Sequence, residues 1–148
     1  MLRLSKKADY ALIAMKHLAQ KSPGAHSSNA REIAEHYDIP IELMAKVLQR
    51  LVRTGLLVST QGTRGGYMLS RPAVSITIAD VIQAIDGPLT VTACSTEKND
   101  CEQYKKCSIR DSLWQIRERI AAALATVTLS EMAAGSQMAS PVAVVRRA

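Results

Sequence analysis

Cys94, Cys101 and Cys107 are the residues of this chain best suited to chemistry. The pattern Cys94-x6-Cys101-x5-Cys107 gathers three thiols within fourteen residues, in a polar stretch holding Glu97, Lys98, Asn99 and Asp100. A lone cysteine is ordinarily a small buried hydrophobe, a reading that suits so polar a stretch poorly. Three is an odd number, and in a reducing compartment such a cluster points to a metal or redox site more than to a disulfide framework. Soft thiolates on a loop can hold an iron-sulfur cluster, usually completed by four protein ligands. They can also hold zinc, which wants four closed ligands in a structural site, or act as a thiol-disulfide switch. Either metal leaves one position open here, because no His lies in or beside the loop. His17, His26 and His36 all fall in the N-terminal half and read as helix or loop surface.

A second set of residues could meet a polyanion. Residues 1–72 carry 11 Lys and Arg against 5 Asp and Glu, whereas residues 73–148 carry 8 of each, so the net charge of +6 belongs to the first half. Such a localised excess marks contact with nucleic acid, or merely a soluble basic surface. Within it, Glu42, Lys46, Gln49, Arg50 and Arg53 fall on one face of an expected helix, and Gln61 and Arg64 lie in a glycine-rich loop. These side chains could reach phosphates or base edges in a major groove, or form an ordinary solvated helix face.

The elements that must position them follow from periodicity. Leu4, Ala8, Ala11, Leu12, Met15, Leu18 and Ala19 recur at spacings of three and four, which predicts a first helix ending near Gln20. Asn29 with Glu32 predicts a capping box for a short helix with Ile33, Ala34 and Tyr37 inward. After the turn Asp38-Ile39-Pro40, with Pro40 in the first helical turn, Leu43, Val47, Leu48, Leu51 and Val52 are expected to form a buried stripe ended by Gly55. Two helices so joined have helix-turn-helix spacing. The runs 56–60 and 67–70, joined by Gln61-Gly62-Thr63-Arg64-Gly65-Gly66, read as a hairpin, the wing of a winged helix. This loop lacks the Gly-Lys-Ser/Thr ending of a nucleotide-binding loop. Residues 80–85 read as a further short helix stopped by Asp86-Gly87-Pro88.

The length of 148 residues suits one domain with an extension. With no Phe, one Trp and four Tyr, the core must be aliphatic, and aromatic platforms for single-stranded bases are disfavoured. The charged N-terminus does not resemble a secretion signal, and no run approaches the roughly 18 apolar residues of a membrane span. A cytoplasmic protein with no membrane partner is therefore expected. No nucleophile elbow or dinucleotide loop appears, so neither an enzyme nor a small-molecule substrate is expected.

The segments Leu2-Arg3-Leu4-Ser5-Lys6 and Asp9-Tyr10-Ala11, the helix-turn-helix, the wing Arg64-Gly65-Gly66-Tyr67-Met68-Leu69 and Ile78-Ala79-Asp80-Val81-Ile82 occur in the order of a known family. From residue 1 to about residue 133 the chain resembles the bacterial winged-helix iron-sulfur regulators typified by IscR, NsrR and RirA. The resemblance implies a mainly α fold with a small β wing, a winged helix-turn-helix plus a long C-terminal dimerisation helix. It implies a homodimer on a double-stranded DNA operator, with operator affinity controlled by an iron-sulfur cluster that senses iron, redox state, oxygen or nitric oxide. A cluster-free thiol-sensing regulator and a small electron-transfer protein are the alternatives.

The IscR branch has a His three residues after its last cysteine, where this chain has Arg110; Asp9 matches an aspartate of NsrR-like members. The implied ligand set is thus Cys94, Cys101, Cys107 and Asp9, with Asp9 donated across the dimer and 4Fe-4S favoured over 2Fe-2S; Asp9 also reads as a surface carboxylate or a partner of Lys6. Ala45 and Gln61 replace a glutamate and an arginine of the IscR branch, so that branch's operator sequence does not transfer. Ile109, Leu113, Ile116, Ile120, Ala123 and Val127 repeat with coiled-coil rhythm, the pattern of a dimer interface or of a helix packed on its own domain. The expected division is 1–72 for DNA binding, 73–133 for the cluster loop and dimer helix, and 134–148 for a mobile tail.

Overall fold

The structure, a computed structural model, describes residues 3–21, 27–92 and 101–135. Helix α1 (Lys6–Ala19) begins where the Ser5 side chain accepts a hydrogen bond from the Ala8 amide, and it buries Ala8, Ala11, Ala14, Met15 and Leu18. Four of those five being small or unbranched lets neighbouring helices approach closely. Helix α2 (Ala30–His36) is capped by Asn29, whose side chain accepts from the Glu32 amide at 2.8 Å. The reciprocal half of the expected capping box is missing, because the Glu32 carboxylate is taken by Lys21 at 2.9 Å and by Ser28.

The turn from α2 to α3 (Ile41–Arg53) places Asp38 at φ +53, a left-handed conformation that aspartate tolerates better than most residues. Pro40 is extended and serves as the residue before the helix, one place earlier than expected. Helix α3 buries Met44, Val47, Leu48 and Leu51. The stripe differs from the expected one at two points: Leu43 is 37% exposed and Met44 is fully buried, while Val52 lies at the edge of the core. Leu43 and Met44 differ by 100° around the helix, and either continues a three-four spacing, so only packing chooses between them.

Strands β1 (Leu57–Thr60) and β2 (Gly66–Leu69) form the wing, antiparallel with Leu57 opposite Leu69 and Thr60 opposite Gly66. Tyr67 exchanges two backbone hydrogen bonds with the buried Ser28, at 2.8 and 3.3 Å, stitching the wing to the entry of α2. A 3-10 turn (Ala73–Ser75) leads to α4 (Ile78–Asp86), which starts in a complete capping box of Thr77 and Asp80. Beyond the cysteine segment come α5 (Arg110–Thr126) and α6 (Leu129–Ala133), the latter with its own capping box of Thr128 and Glu131.

One hydrophobic core joins α1, α2, α3 and β1 to Ile76, Val81 and Leu129. The chain thus returns to the core after α5: Leu129 donates its amide to Ile76 at 2.7 Å and Ile78 donates to Val127 at 2.9 Å. Helix α5 is the exception, since none of its residues is buried. Ala121 and Leu124 face α4 beside Ile82 and Leu89. Of the expected seam, Leu113 and Ile120 are half-buried, whereas Ile109, Ile116 and Val127 are 58%, 45% and 42% exposed; Ile109 and Val127 flank the helix. An apolar face left in water costs about 25 cal/mol per Å² relative to burial.

Candidate nucleic-acid interface and cysteine loop

Burying Met44, Val47, Leu48 and Leu51 turns Glu42, Lys46, Gln49 and Arg53 outward, and all four are exposed. Arg50 lies on the flank of this face: its Nε donates to the Ala84 carbonyl at 3.0 Å, tying α3 to α4. A groove of about 260 Å³ runs along that flank, lined by Lys7, Leu43, Lys46, Val47, Arg50, Arg53 and Ile85. Among the described residues none of its four cations has an acidic partner, the ion pairs being Lys21–Glu32, Arg71–Asp80, Arg110–Asp111 and Arg117–Glu118. Lys7 is a member that sequence reading missed, because only the packing of α1 against α3 brings it there.

Gln61 and Arg64 are exposed on the wing tip. The tip is held by backbone: the Ser27 hydroxyl donates to the Arg64 carbonyl at 2.8 Å, and the Gly66 amide donates to Thr60 Oγ1 at 3.2 Å. Both glycines of the Arg64-Gly65-Gly66-Tyr67 run are required by close approach. A Cβ on Gly65 would lie 2.5 Å from the Thr60 carbonyl oxygen, and one on Gly66 2.5 Å from that of Ser28. The result is a helix face bearing cations unpaired among the described residues, beside a hairpin with a cation at its end.

Of the three cysteines, Cys101 and Cys107 are free and half-buried; Cys94 lies outside the described residues. Free, partly accessible thiols are the right donor chemistry for a soft metal or cluster and equally for thiol oxidation. Asp9, in the first turn of α1, is half-buried, and among the described residues its carboxylate pairs with none, Lys6 included. Among the described residues no three His, Cys, Asp or Glu side chains gather within the protomer as a metal site. Arg110, where a ligand His would stand in the IscR branch, instead donates to the Tyr104 carbonyl at 3.1 Å.

Of the two described histidines, His17 departs from expectation and His36 does not. His17 is not a surface residue: its Nδ1 is 3.1 Å from the Tyr37 hydroxyl, its Nε2 is buried without a partner, and its ring centroid is 5.5 Å from that of His36. Burial, then the charge of Lys21 and that of His36, push its pKa below the ordinary value. His36 is exposed and His26 lies outside the described residues.

This arrangement has close counterparts. The family model described as "Iron-dependent Transcriptional regulator", named Rrf2, matches residues 4–135. The chain is 33% identical over 132 residues to the HTH-type transcriptional regulator IscR of Klebsiella pneumoniae strain 342, covering 88% of this chain and 79% of that protein. It is equally similar to IscR of Escherichia coli K12, covering 80% of that protein. Among solved structures it resembles CymR, the global cysteine regulator of B. subtilis, with a TM-score of 0.74 and 28% identity over 90% of this chain and 98% of that one. It also resembles T. potens IscR, with a TM-score of 0.70 and 28% identity over 95% and 94%. No helix among the described residues is long and apolar enough to cross a membrane. The winged helix, its cationic reading face and these likenesses together place the chain in the Rrf2 family of DNA-binding transcription regulators, and it is not an enzyme.

Proposed function

We propose that this regulator is a homodimer whose operator affinity is set by an iron-sulfur cluster held on Cys94, Cys101 and Cys107. The observation that carries the reading is a juxtaposition: the cysteine segment runs directly into α5, a 17-residue helix without one buried residue. A second copy of α5 against Ile109, Leu113, Ile116, Ile120 and Val127 would remove those side chains from water. Asp9, unpaired on α1, is the candidate fourth ligand across the dimer, and the hard carboxylate beside three thiolates would make that corner of a 4Fe-4S cluster the most labile. When bound, the cluster supplies sensitivity to oxidants and to iron supply.

The protein's own residues do the rest. Lys46, Arg53 and Arg64 neutralise phosphates, with Arg50 placed beside them; Glu42, Gln49 and Gln61 face base edges. The reading heads of the two protomers are spaced by α5, so a change in the loop before α5 alters their separation. A switch of this type carries about 1–3 kcal/mol, or roughly 5- to 150-fold in affinity.

A second reading has its own support: Cys101 and Cys107 are free and partly accessible, and the chain resembles the oxidized form of S. aureus CymR, at 25% identity and a TM-score of 0.72. Anaerobic purification with iron and sulfide counts and visible absorption separates the two. Iron and sulfide in stoichiometric amounts, lost in Cys94→Ala, Cys101→Ala and Cys107→Ala, support the cluster. Colourless, iron-free protein whose operator binding changes on thiol oxidation supports the thiol switch and refutes the cluster.

A further inference from the structure

The six residues from Ala84 to Leu89 receive hydrogen bonds from three other elements. Arg50 of α3 donates to the Ala84 carbonyl at 3.0 Å, Ser5 before α1 donates its amide to the Asp86 carboxylate at 3.1 Å, and Arg117 of α5 donates its Nε to the Leu89 carbonyl at 2.8 Å. Seven residues before Arg117, Arg110 holds the Tyr104 carbonyl at 3.1 Å, with its guanidinium 4.8 Å above the Tyr104 ring. Seven residues are two helical turns, so the two arginines stand on one face of α5 about 10.5 Å apart.

Leu89 and Tyr104 stand at the two ends of the stretch that carries Cys94 and Cys101. Fully extended, the fifteen residues between these carbonyls could span about 50 Å, yet both ends are held on two turns of one helix. Each guanidinium is itself fixed by neighbours on α5: Arg110 pairs with Asp111 at 3.1 Å, and Arg117 pairs with Glu118 at 3.1 Å and lies 5.5 Å from the Trp114 ring. These neighbours limit the rotamer freedom that a long side chain must otherwise surrender on making one contact.

We propose that Arg110 and Arg117 are positioning residues that clamp the two ends of the cysteine loop onto α5, Arg117 doing so at the same Ala84–Leu89 segment that the reading helix holds through Arg50. The link to DNA rests on the proposed sensor reading; the clamp itself does not. The two are separable because the clamp is tested on reduced, metal-free full-length protein, whereas the sensor reading stands or falls on iron and sulfide.

Hydrogen exchange followed by mass spectrometry reads the clamp directly. The Gly87 amide, bonded to the Gln83 carbonyl, reports on the first end; the Tyr104 and Lys106 amides, bonded to Cys101 and Gln103, report on the second. Arg117→Ala should speed exchange roughly tenfold in the peptide around Gly87, Arg110→Ala roughly tenfold around Tyr104. Arg117→Lys, which keeps a donor but not the planar fork, should recover part of the protection. Arg119→Ala, which removes an exposed cation of the same helix, should leave both peptides unchanged, as should every variant the peptides of α1 and α3. Wild-type exchange at both ends in Arg110→Ala and Arg117→Ala overturns the clamp, and so does a rise spread evenly over α1 and α3, which would mean general destabilisation.

Discussion

Substituting Gly66 by alanine should do more damage than its single methyl suggests. The new Cβ would lie 2.5 Å from the Ser28 carbonyl oxygen, 2.6 Å from its carbon and 3.0 Å from the Asn29 nitrogen. All three are backbone atoms, so no side chain can swing aside. Relief requires β2 to leave Ser28, breaking the pair of hydrogen bonds with Tyr67 at 2.8 and 3.3 Å. Two net hydrogen bonds at about 0.5–1.5 kcal/mol each, with a buried polar group left partly unsatisfied at about 1–3 kcal/mol, give a loss of roughly 2–6 kcal/mol. For a domain of this size that lowers Tm by about 6–18 °C. Gly87→Ala is the comparison: at φ +79 and ψ −166 with nothing within 4 Å, it has only backbone strain of about 1–3 kcal/mol to bear. Urea and thermal unfolding followed by circular dichroism measure both. Gly66→Ala costing no more than Gly87→Ala would refute the claim that Ser28 anchors the wing.

Lys46→Ala and Arg64→Ala should each weaken operator binding and reduce the slope of log K against log salt by about 0.9, as lost phosphate contacts do; titrations from low to high salt check this. Replacing Ile109 and Ile116 by Asp puts charges on side chains that are exposed in the single chain, so the protomer should stay folded by circular dichroism while light scattering shows monomers. The lowered pKa of His17 means that folding favours its neutral form, so this contribution is complete above the unfolded value of 6.5 and is lost as pH falls below it. The urea midpoint should therefore drop between pH 7.5 and 5.5 in the wild type and drop less in His17→Phe; the Glu32–Lys21 pair, whose carboxyl is lowered from 4.5, acts only in a more acidic window. Asp9→Ala should leave the fold intact yet give a cluster lost faster than the wild type and slower than in the cysteine variants, as followed by visible absorption and Mössbauer spectra.

The elements that position the reading face were legible because their signals are local. The stripes of α1 and α3, the Asp38-Ile39-Pro40 turn and the glycine-rich hairpin each follow from a few neighbouring residues. Errors arose where distant segments compete. Leu43 and Met44 fit the same spacing, and only the packing of α1, α2 and α4 around α3 decides which is buried. Glu32 has the right position for a capping box, but Lys21 captures its carboxylate. The return of Leu129 to the core went unseen, as did the capping boxes Thr77–Asp80 and Thr128–Glu131 that announce α4 and α6 by their spacing alone. His17 read as surface because its burial depends on Tyr37 and His36 arriving from α2. For the chemistry, the thiols were visible as residue types, whereas the roles of Lys7, Arg110 and Arg117 required the packed helices.

The most direct test of the central claim is the operator affinity of one preparation in two states. Anaerobically isolated protein, with its iron and sulfide counted, is titrated against an operator selected from random duplexes, before and after cluster removal by chelation under reducing conditions. The account predicts a shift of roughly 5- to 150-fold that reverses when the cluster is rebuilt and is absent in Cys101→Ala. Equal affinity in the two states, with iron and sulfide present in one and gone from the other, would contradict it.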